Sequence, residues 1–402
     1  MSEPVPAAGA ARPGAALPVF LGRYETERVL GRGQMGEVLQ VCDRVTGARF
    51  ALKRIPPELA RDASQFDTVR ANFELVRGLD HPHIAGARAL EVDPRTGEAF
   101  LLLDLVPGSD LAAWLARRRK ELGGPAAPLP TAEVVGLAEQ IAAALDHAHA
   151  RPVGDGTPGG AQGILHRDLK PANVMAESGR EFPPGVPFVR LVDFGLAAEI
   201  QASLLSLSKG PPTGKSAGTP VYMAPEQWEG RTLTRGVDQW SLAVMIYEML
   251  AGRRPFQAPD LYMLREQVLR TKPDPPPRLA PEAWRALARG LTVDRRARHP
   301  SCLALVYAIA AADPAHAGTM TTPVAVLPAE FADSDDGGAV EASPGEPVPP
   351  SPAGATLRAG RAPSAGATPA DTPRSPRAAH VEIGEMVLEG APLVRVRRSR
   401  ER

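Results

Sequence analysis

The chain has 402 residues, and 46 Lys plus Arg are balanced by 46 Asp plus Glu, so the formal net charge is zero. That balance excludes a whole-molecule electrostatic attraction to nucleic acid or to a membrane surface. An apolar content of 44% suffices for a large core, whereas 43 Pro and 38 Gly, unevenly placed, mark part of the chain as unable to pack. Cys42 and Cys302 are the only cysteines and show neither CxxC nor Cys/His spacing. This argues against a disulfide framework or a structural zinc site, and for a reducing, cytoplasmic setting. Residues 1–20 lack the basic start and apolar stretch of a secretory signal. The longest apolar runs, 242–250 and 303–312, are only half the roughly 20 residues that a bilayer span needs.

In chain order, residues 1–20 are Ala/Pro-rich and read as a disordered leader. Residues 29–39 and 49–55 are β-like runs separated by a turn at 43–47, a pattern that predicts an antiparallel meander. Phe66, Val69, Phe73 and Val76 recur at helical spacing on one face. Residues 100–106 read as an apolar strand ended by Pro107 and Gly108. Beyond it, 111–122, 131–149, 237–251, 261–270, 281–291 and 301–311 show helical periodicity. Thr131 (with Glu133) and Ser301 stand at N-cap positions and Gly252 at a stop. Strand-rich followed by helix-rich predicts an α+β domain of two lobes, a β-rich N-lobe over about 22–104 with one main helix and a larger helical C-lobe over about 107–312.

Residues 313–402 hold thirteen prolines and a single aromatic, Phe331. Such a segment cannot offset an ordering entropy of roughly 1 to 2 kcal/mol per residue, so a disordered tail is expected. Its basic end, 395–402, reads as a solvated tail or a contact for an anionic partner, and the alternation over 381–387 as a lone strand. The basic run Arg117 to Lys120 reads as the wet face of a helix.

Four clusters carry chemistry. Gly31, Gly33 and Gly36, followed by Val38, form GxGxxGxV, in which the missing Cβ atoms let backbone N–H groups approach phosphate oxygens. Lys53 ends the run Phe50-Ala51-Leu52-Lys53 on a later strand, where one cation can stand near those phosphates. His166-Arg167-Asp168-Leu169-Lys170-Pro171-Ala172-Asn173 and then Asp193-Phe194-Gly195 supply a base, a phosphate cation and two oxygen ligands for a hard divalent metal. The histidine pairs His81/His83 and His147/His149 do not read as a metal site, because one belongs to a His-Pro turn and the other ends a helix.

These motifs, with Gly218-Thr219-Pro220, Ala224-Pro225-Glu226, Asp238-Gln239-Trp240 and Asp294 to Arg298 in the same order, make residues 22–312 resemble the protein kinase family, specifically bacterial serine/threonine kinases of eukaryotic (Hanks) type. The resemblance implies a bilobal kinase fold that uses ATP with Mg2+, or Mn2+ in its place, to phosphorylate Ser/Thr hydroxyls of protein substrates. It makes Asp168 the acceptor of the hydroxyl proton, Lys170 the γ-phosphate cation, Asn173 and Asp193 the metal ligands, and Lys53 the α/β-phosphate partner. Leu30, Val38, Ala51 and Met175 are implied to sandwich adenine. The Asp104 carbonyl and Val106 N–H are implied to bond its edge, with Leu103 as gatekeeper and Asp110 on the ribose. It further implies a Glu226/Arg298 ion pair that anchors the activation segment, and an Asp238 that props the catalytic loop.

The chain departs from the family at one charged position. Counting from Lys53 and from His81-Pro82, the helix Glu that pairs with the strand lysine falls on Asn72, which offers a neutral acceptor, while Glu74 lies on the wrong side of the helix. A weaker anchor, reduced activity and a shifted register are the three readings. The alternative function is a pseudokinase or nucleotide-binding scaffold, with a small-molecule phosphotransferase as a more distant one. Insertions at 151–163 and 177–187 are expected to be loops of little energetic consequence. Ser203, Ser206, Ser208, Thr213 and Ser216 are candidate autophosphorylation sites, implying self-association, with Arg167 as the implied phosphate partner.

Overall fold

A computed structural model of the chain describes residues 18–33, 36–152, 163–194 and 220–312. The leader up to residue 17, Gly195, Gly218, Thr219, the five candidate phosphorylation sites, most of the 151–163 insertion and the 313–402 tail lie outside the described residues. Every described residue falls within the unit Met1–Gly337.

The first part is one antiparallel sheet of β1 (Val19–Phe20), β2 (Tyr24–Gly33), β3 (Gly36–Asp43), β4 (Arg49–Arg54), β5 (Ala87–Val92) and β6 (Ala99–Asp104), in the order β1-β2-β3-β4-β6-β5. Side chains alternate between its two faces. Tyr24, Leu39, Val41, Leu52, Phe100 and Leu102 therefore form one small apolar cluster. The residues between them, Val38, Ala51, Lys53, Leu101 and Leu103, share the opposite face. The register sets Val38 across from Lys53, Ala51 across from Leu103 and Lys53 across from Leu101. After α1 (Pro57–Arg61), helix α2 (Ala63–Arg77) starts at Asp62, whose carboxylate caps Gln65 N at 3.1 Å, and it buries Phe66, Val69, Phe73 and Val76 as their spacing predicts.

The second part holds α3 (Leu111–Glu121), α4 (Thr131–His149), α5 (Pro225–Trp228), α6 (Gly236–Ala251), α7 (Leu261–Arg270), α8 (Pro281–Gly290) and α9 (Cys302–Ala311). A small sheet of β7 (Gly108–Asp110), β8 (Val174–Glu181) and β9 (Pro187–Leu191) accompanies them. Helix α4 packs against α6, α9 and β9. Helix α6 is buried almost all round, in keeping with its mostly apolar sequence, and it carries Asp238, Gln239 and Ser241 inside with it. It stops at Gly252, in the left-handed region at φ 69°, where a Cβ would stand 1.9 Å from Ala126 O. No helix among the described residues is long and apolar enough to cross a membrane.

Five local expectations are corrected. Residues 29–39 are two strands of a hairpin, broken where Gly36 turns at φ 104°. The strand predicted over 100–106 ends at Asp104. Pro130 rather than Thr131 occupies the N-cap of α4, because its extended backbone already feeds the first turn, whereas Ser301 does cap α9, accepting from Ala304 N. The 177–187 insertion is largely a longer β8–β9 hairpin, with Glu181 paired to Pro187. Buried Gln140 on α4 holds that hairpin, donating to Phe182 O and Pro187 O and accepting from Val189 N. The basic run is not merely a wet face: Arg118 forks onto buried Glu133 and Arg119 donates to Glu248 O.

Candidate active site

The Gly-rich hairpin is closed by necessity at one residue. Gly36 combines a positive φ with a backbone so close to β4 that a Cβ would meet Arg54 O at 2.3 Å. Only glycine fits there; Gly36 opposes Gly33, and Gly31 opposes Val38 two residues along. Leu30 and Gly31, near the end of β2, are exposed.

Lys53 is 2% exposed, and its Nζ donates to Asp193 Oδ1 at 2.9 Å across 140 residues of sequence. Burial opposes ionisation of Asp193. The Lys53 charge and hydrogen bond, with the charges of His166 and Lys170, outweigh it and hold the carboxyl below its ordinary range. Asp193 itself sits at φ 59°, an unusual conformation for a non-glycine residue, just after β9. Asn72 does not reach Lys53: its Nδ2 donates to Thr68 O, one turn back in its own helix. Glu74 pairs with Arg77 on the exposed side of α2. The lysine thus takes its counter-charge from the loop after β9 instead of from α2.

The residues of the 166–173 loop converge. Asp168 Oδ2 accepts from Lys170 Nζ at 2.7 Å and from Asn173 Nδ2 at 3.0 Å, while Asn173 Nδ2 also donates to Asp168 O at 2.7 Å. Val192 N donates to Asn173 O at 3.0 Å, which ties the strand before Asp193 to this loop. Asn173 and Asp193 are both hard oxygen donors, a set suited to Mg2+, and Lys53 and Lys170 are cations suited to phosphate oxygens. Met175 on β8 lies opposite Asp110 on β7, and Asp110 Oδ1 caps α3 at Ala113 N, 2.7 Å away. The Asp104 carboxylate is clamped by Arg88 at 2.6 and 2.7 Å and by Gly86 N, and Val106 follows, buried.

The loop rests on a buried support. Asp238, on α6, accepts from His166 N and Arg167 N, each at 2.8 Å, which holds Arg167 in its positive-φ conformation. His149 Nε2 is 2.8 Å from the same carboxylate, and Asp146 faces the other side of the ring. Burial disfavours the imidazolium, yet Asp146 and Asp238 raise His149 to about 9. Arg298 and Glu226 form a fully buried fork at 2.8 and 2.9 Å. His166 and Phe194 rings lie 4.8 Å apart. The Asp146/His149 support and the Gln140 clamp escaped sequence reasoning. The i, i+3 spacing of Asp146 and His149 on the last turn of a helix was the one cue available.

Comparison with known proteins places this geometry. Residues 24–315 match the model of the protein kinase domain. The serine/threonine-protein kinase PknA of Mycobacterium tuberculosis is 31% identical over 264 residues, 65% of this chain and 54% of that protein. The serine/threonine-protein kinase PkaA of Streptomyces coelicolor is 33% identical over 282 residues, 67% and 46% respectively. The solved PknI kinase domain of M. tuberculosis covers 73% of this chain and 98% of its own length, with 29% identity and a TM-score of 0.52. The chain thus spans about half the length of the curated relatives it matches.

Proposed function

The chain belongs to the protein kinase family, among bacterial serine/threonine kinases of Hanks type, and from that premise we propose that it transfers the γ-phosphoryl group of ATP to Ser/Thr hydroxyls of protein substrates. The observation that carries this reading is the meeting of Asp168, Lys170 and Asn173 within 2.7 to 3.0 Å, beside a buried Lys53 bonded to Asp193. The family generally uses ATP and Mg2+. Mg2+ on Asn173 and Asp193, with Mn2+ as a substitute, neutralises phosphate charge when bound.

The residues of the chain do the remainder. Asp168 accepts the proton of the substrate hydroxyl and aims the oxygen in line, and Lys170 steadies the charge that develops on the transferred group. Lys53, on β4, is paired with Val38 on β3 and Leu101 on β6, so it reaches the phosphates from the same sheet face that presents Ala51 and Leu103 to the base. Leu30, Val38, Ala51 and Met175 hold the adenine, Asp104 O and Val106 N bond its edge, and the second carboxylate oxygen of Asp110 takes the ribose. Gly31, Gly33 and Gly36 bring backbone N–H groups onto the phosphates.

The domain reading is an N-lobe over about 22–104, a C-lobe over about 107–312 and a tail over 313–402. The setting is cytoplasmic, the partners are protein substrates, and copies of the chain phosphorylate one another in the 193–226 segment. No nucleic-acid partner is assigned. The non-catalytic reading rests on Asn72 alone, and the otherwise complete set of Lys53, Asp168, Asn173 and Asp193 speaks against it.

Transfer of labelled γ-phosphate from ATP with Mg2+ to a generic protein acceptor tests the proposal. Wild type is expected to label the acceptor, and Asp168→Asn to lose at least about 100-fold, the usual worth of a positioned base. A wild type that binds ATP but transfers nothing to protein, with Asn72→Glu equally silent, establishes the scaffold reading instead.

A further inference from the structure

The last turn of α4 and the first turn of α9 bring together donors that lie 156 residues apart in sequence. One donor atom each from Asp146, His149 and Cys302 lies within 4.8 Å of the other two. His149 Nδ1 is 3.8 Å from Asp146 Oδ1, beyond hydrogen-bond reach, and it has no hydrogen-bond partner although the side chain is only 6% exposed. The other ring nitrogen, Nε2, is tied to Asp238 at 2.8 Å. A metal-ligating histidine is held in this way, with one nitrogen free for the ion and the other fixed by a carboxylate. The Asp146 carboxylate is oriented too, by Cys302 N and Leu303 N at 2.9 Å each.

We propose that Asp146, His149 Nδ1 and Cys302 Sγ form a binding site for a zinc-class divalent cation that ties the end of α4 to the start of α9 behind the catalytic loop. A donor set of thiolate, imidazole and carboxylate selects zinc over Mg2+ or Ca2+, which take oxygen ligands. Donors of a tetrahedral zinc site stand about 2.0 to 2.3 Å from the ion and so roughly 3.3 to 3.8 Å from one another. From their 4.8 Å limit the three side chains therefore need to close by no more than about 1.5 Å. Uptake releases to solvent the Cys302 thiol proton and the proton that Nδ1 carries in the metal-free chain. One dication replaces two protons, so the net charge of this buried cluster, which includes Asp238, is unchanged. Asp238 also receives the N–H groups of His166 and Arg167, so occupancy of the site is transmitted to the catalytic loop through one side chain.

The test uses the full chain, stripped with a chelator and titrated with zinc against a chromophoric competitor, and separately loaded with Co2+. One equivalent is expected, with a thiolate-to-cobalt charge-transfer band. Cys302→Ala is expected to weaken zinc binding about 100-fold or more, while Asp193→Asn, which alters the separate oxygen site, retains it. Zinc is expected to raise the melting temperature of wild type and not of Cys302→Ala. Sub-stoichiometric uptake at micromolar zinc, a cobalt spectrum without the thiolate band, or a Cys302→Ala variant that binds as wild type overturns the proposal and leaves His149 as a protonated clamp alone. If Cys302→Ala does not fold, the cobalt spectrum of the wild-type chain decides.

Discussion

Lys53 shows how a single residue change is absorbed. Counting from Lys53 and His81 sets Asn72 where the family is expected to carry a carboxylate; its side chain turns back onto Thr68 O, and the buried ammonium is paired with Asp193. A buried cation without an acid would be costly, and the carboxylate nearest in space takes the role whatever its distance in sequence. By that count, Asn72→Glu supplies Lys53 with a second anion from α2 and is expected to raise kcat/KM for ATP by up to about tenfold, in line with one charge-assisted hydrogen bond. An unchanged kcat/KM would show that Asp193 and the β4 strand position Lys53 fully. His81 is a second case. Burial first, then the neighbouring His147 and His83, push it from its ordinary 6.5 down to about 4. Its pKa is depressed by folding, so its contribution is complete above pH 6.5 and is lost as the pH falls toward 4, where the unfolded chain already binds the proton. Urea midpoints at pH 7 and near pH 4.5 are expected to fall further in wild type than in His81→Asn. Equal falls would remove His81 from the acid sensitivity.

At the scale of elements, the 177–187 insertion is an arm that α4 grips. Gln140 is buried, and its amide makes three bonds to the β8–β9 hairpin. Gln140→Ala leaves buried backbone groups without partners and is expected to cost about 2 to 4 kcal/mol in urea unfolding. Faster hydrogen exchange at Val189 N is the accompanying local readout. A loss below 0.5 kcal/mol, as expected of an ordinary surface change, would contradict the grip. The sheet shows the reverse economy: strict alternation along β3, β4 and β6 puts the small apolar cluster on one face and Val38, Ala51, Lys53 and Leu103 on the other, so packing and site placement come from the same pattern.

For the molecule as a whole, the apolar residues that form the main core all lie between Ile55 and Ala310, within the 24–315 match. A chain ended after residue 315 is accordingly expected to keep the cooperative melt and the ATP-dependent transfer of the full chain. Loss of either would assign the tail a structural or catalytic part. Much of this was legible in one dimension. The 2.0 and 3.6 periodicities located the strands and helices, because burying one face requires them. The phosphoryl-transfer set was readable because its members come in short contiguous motifs, His166 to Asn173 and Asp193-Phe194, whose backbone conformation fixes their spacing. The sequence by itself indicated phosphoryl-transfer chemistry and which helix faces are buried. Only the tertiary structure decided that Lys53 pairs with Asp193, that Gln140 holds the inserted hairpin, and that Asp146, His149 and Cys302 meet beneath Asp238. Each of these joins residues from separate elements, and which separate elements touch is set by how the helices and sheet pack, a relation that no local spacing encodes.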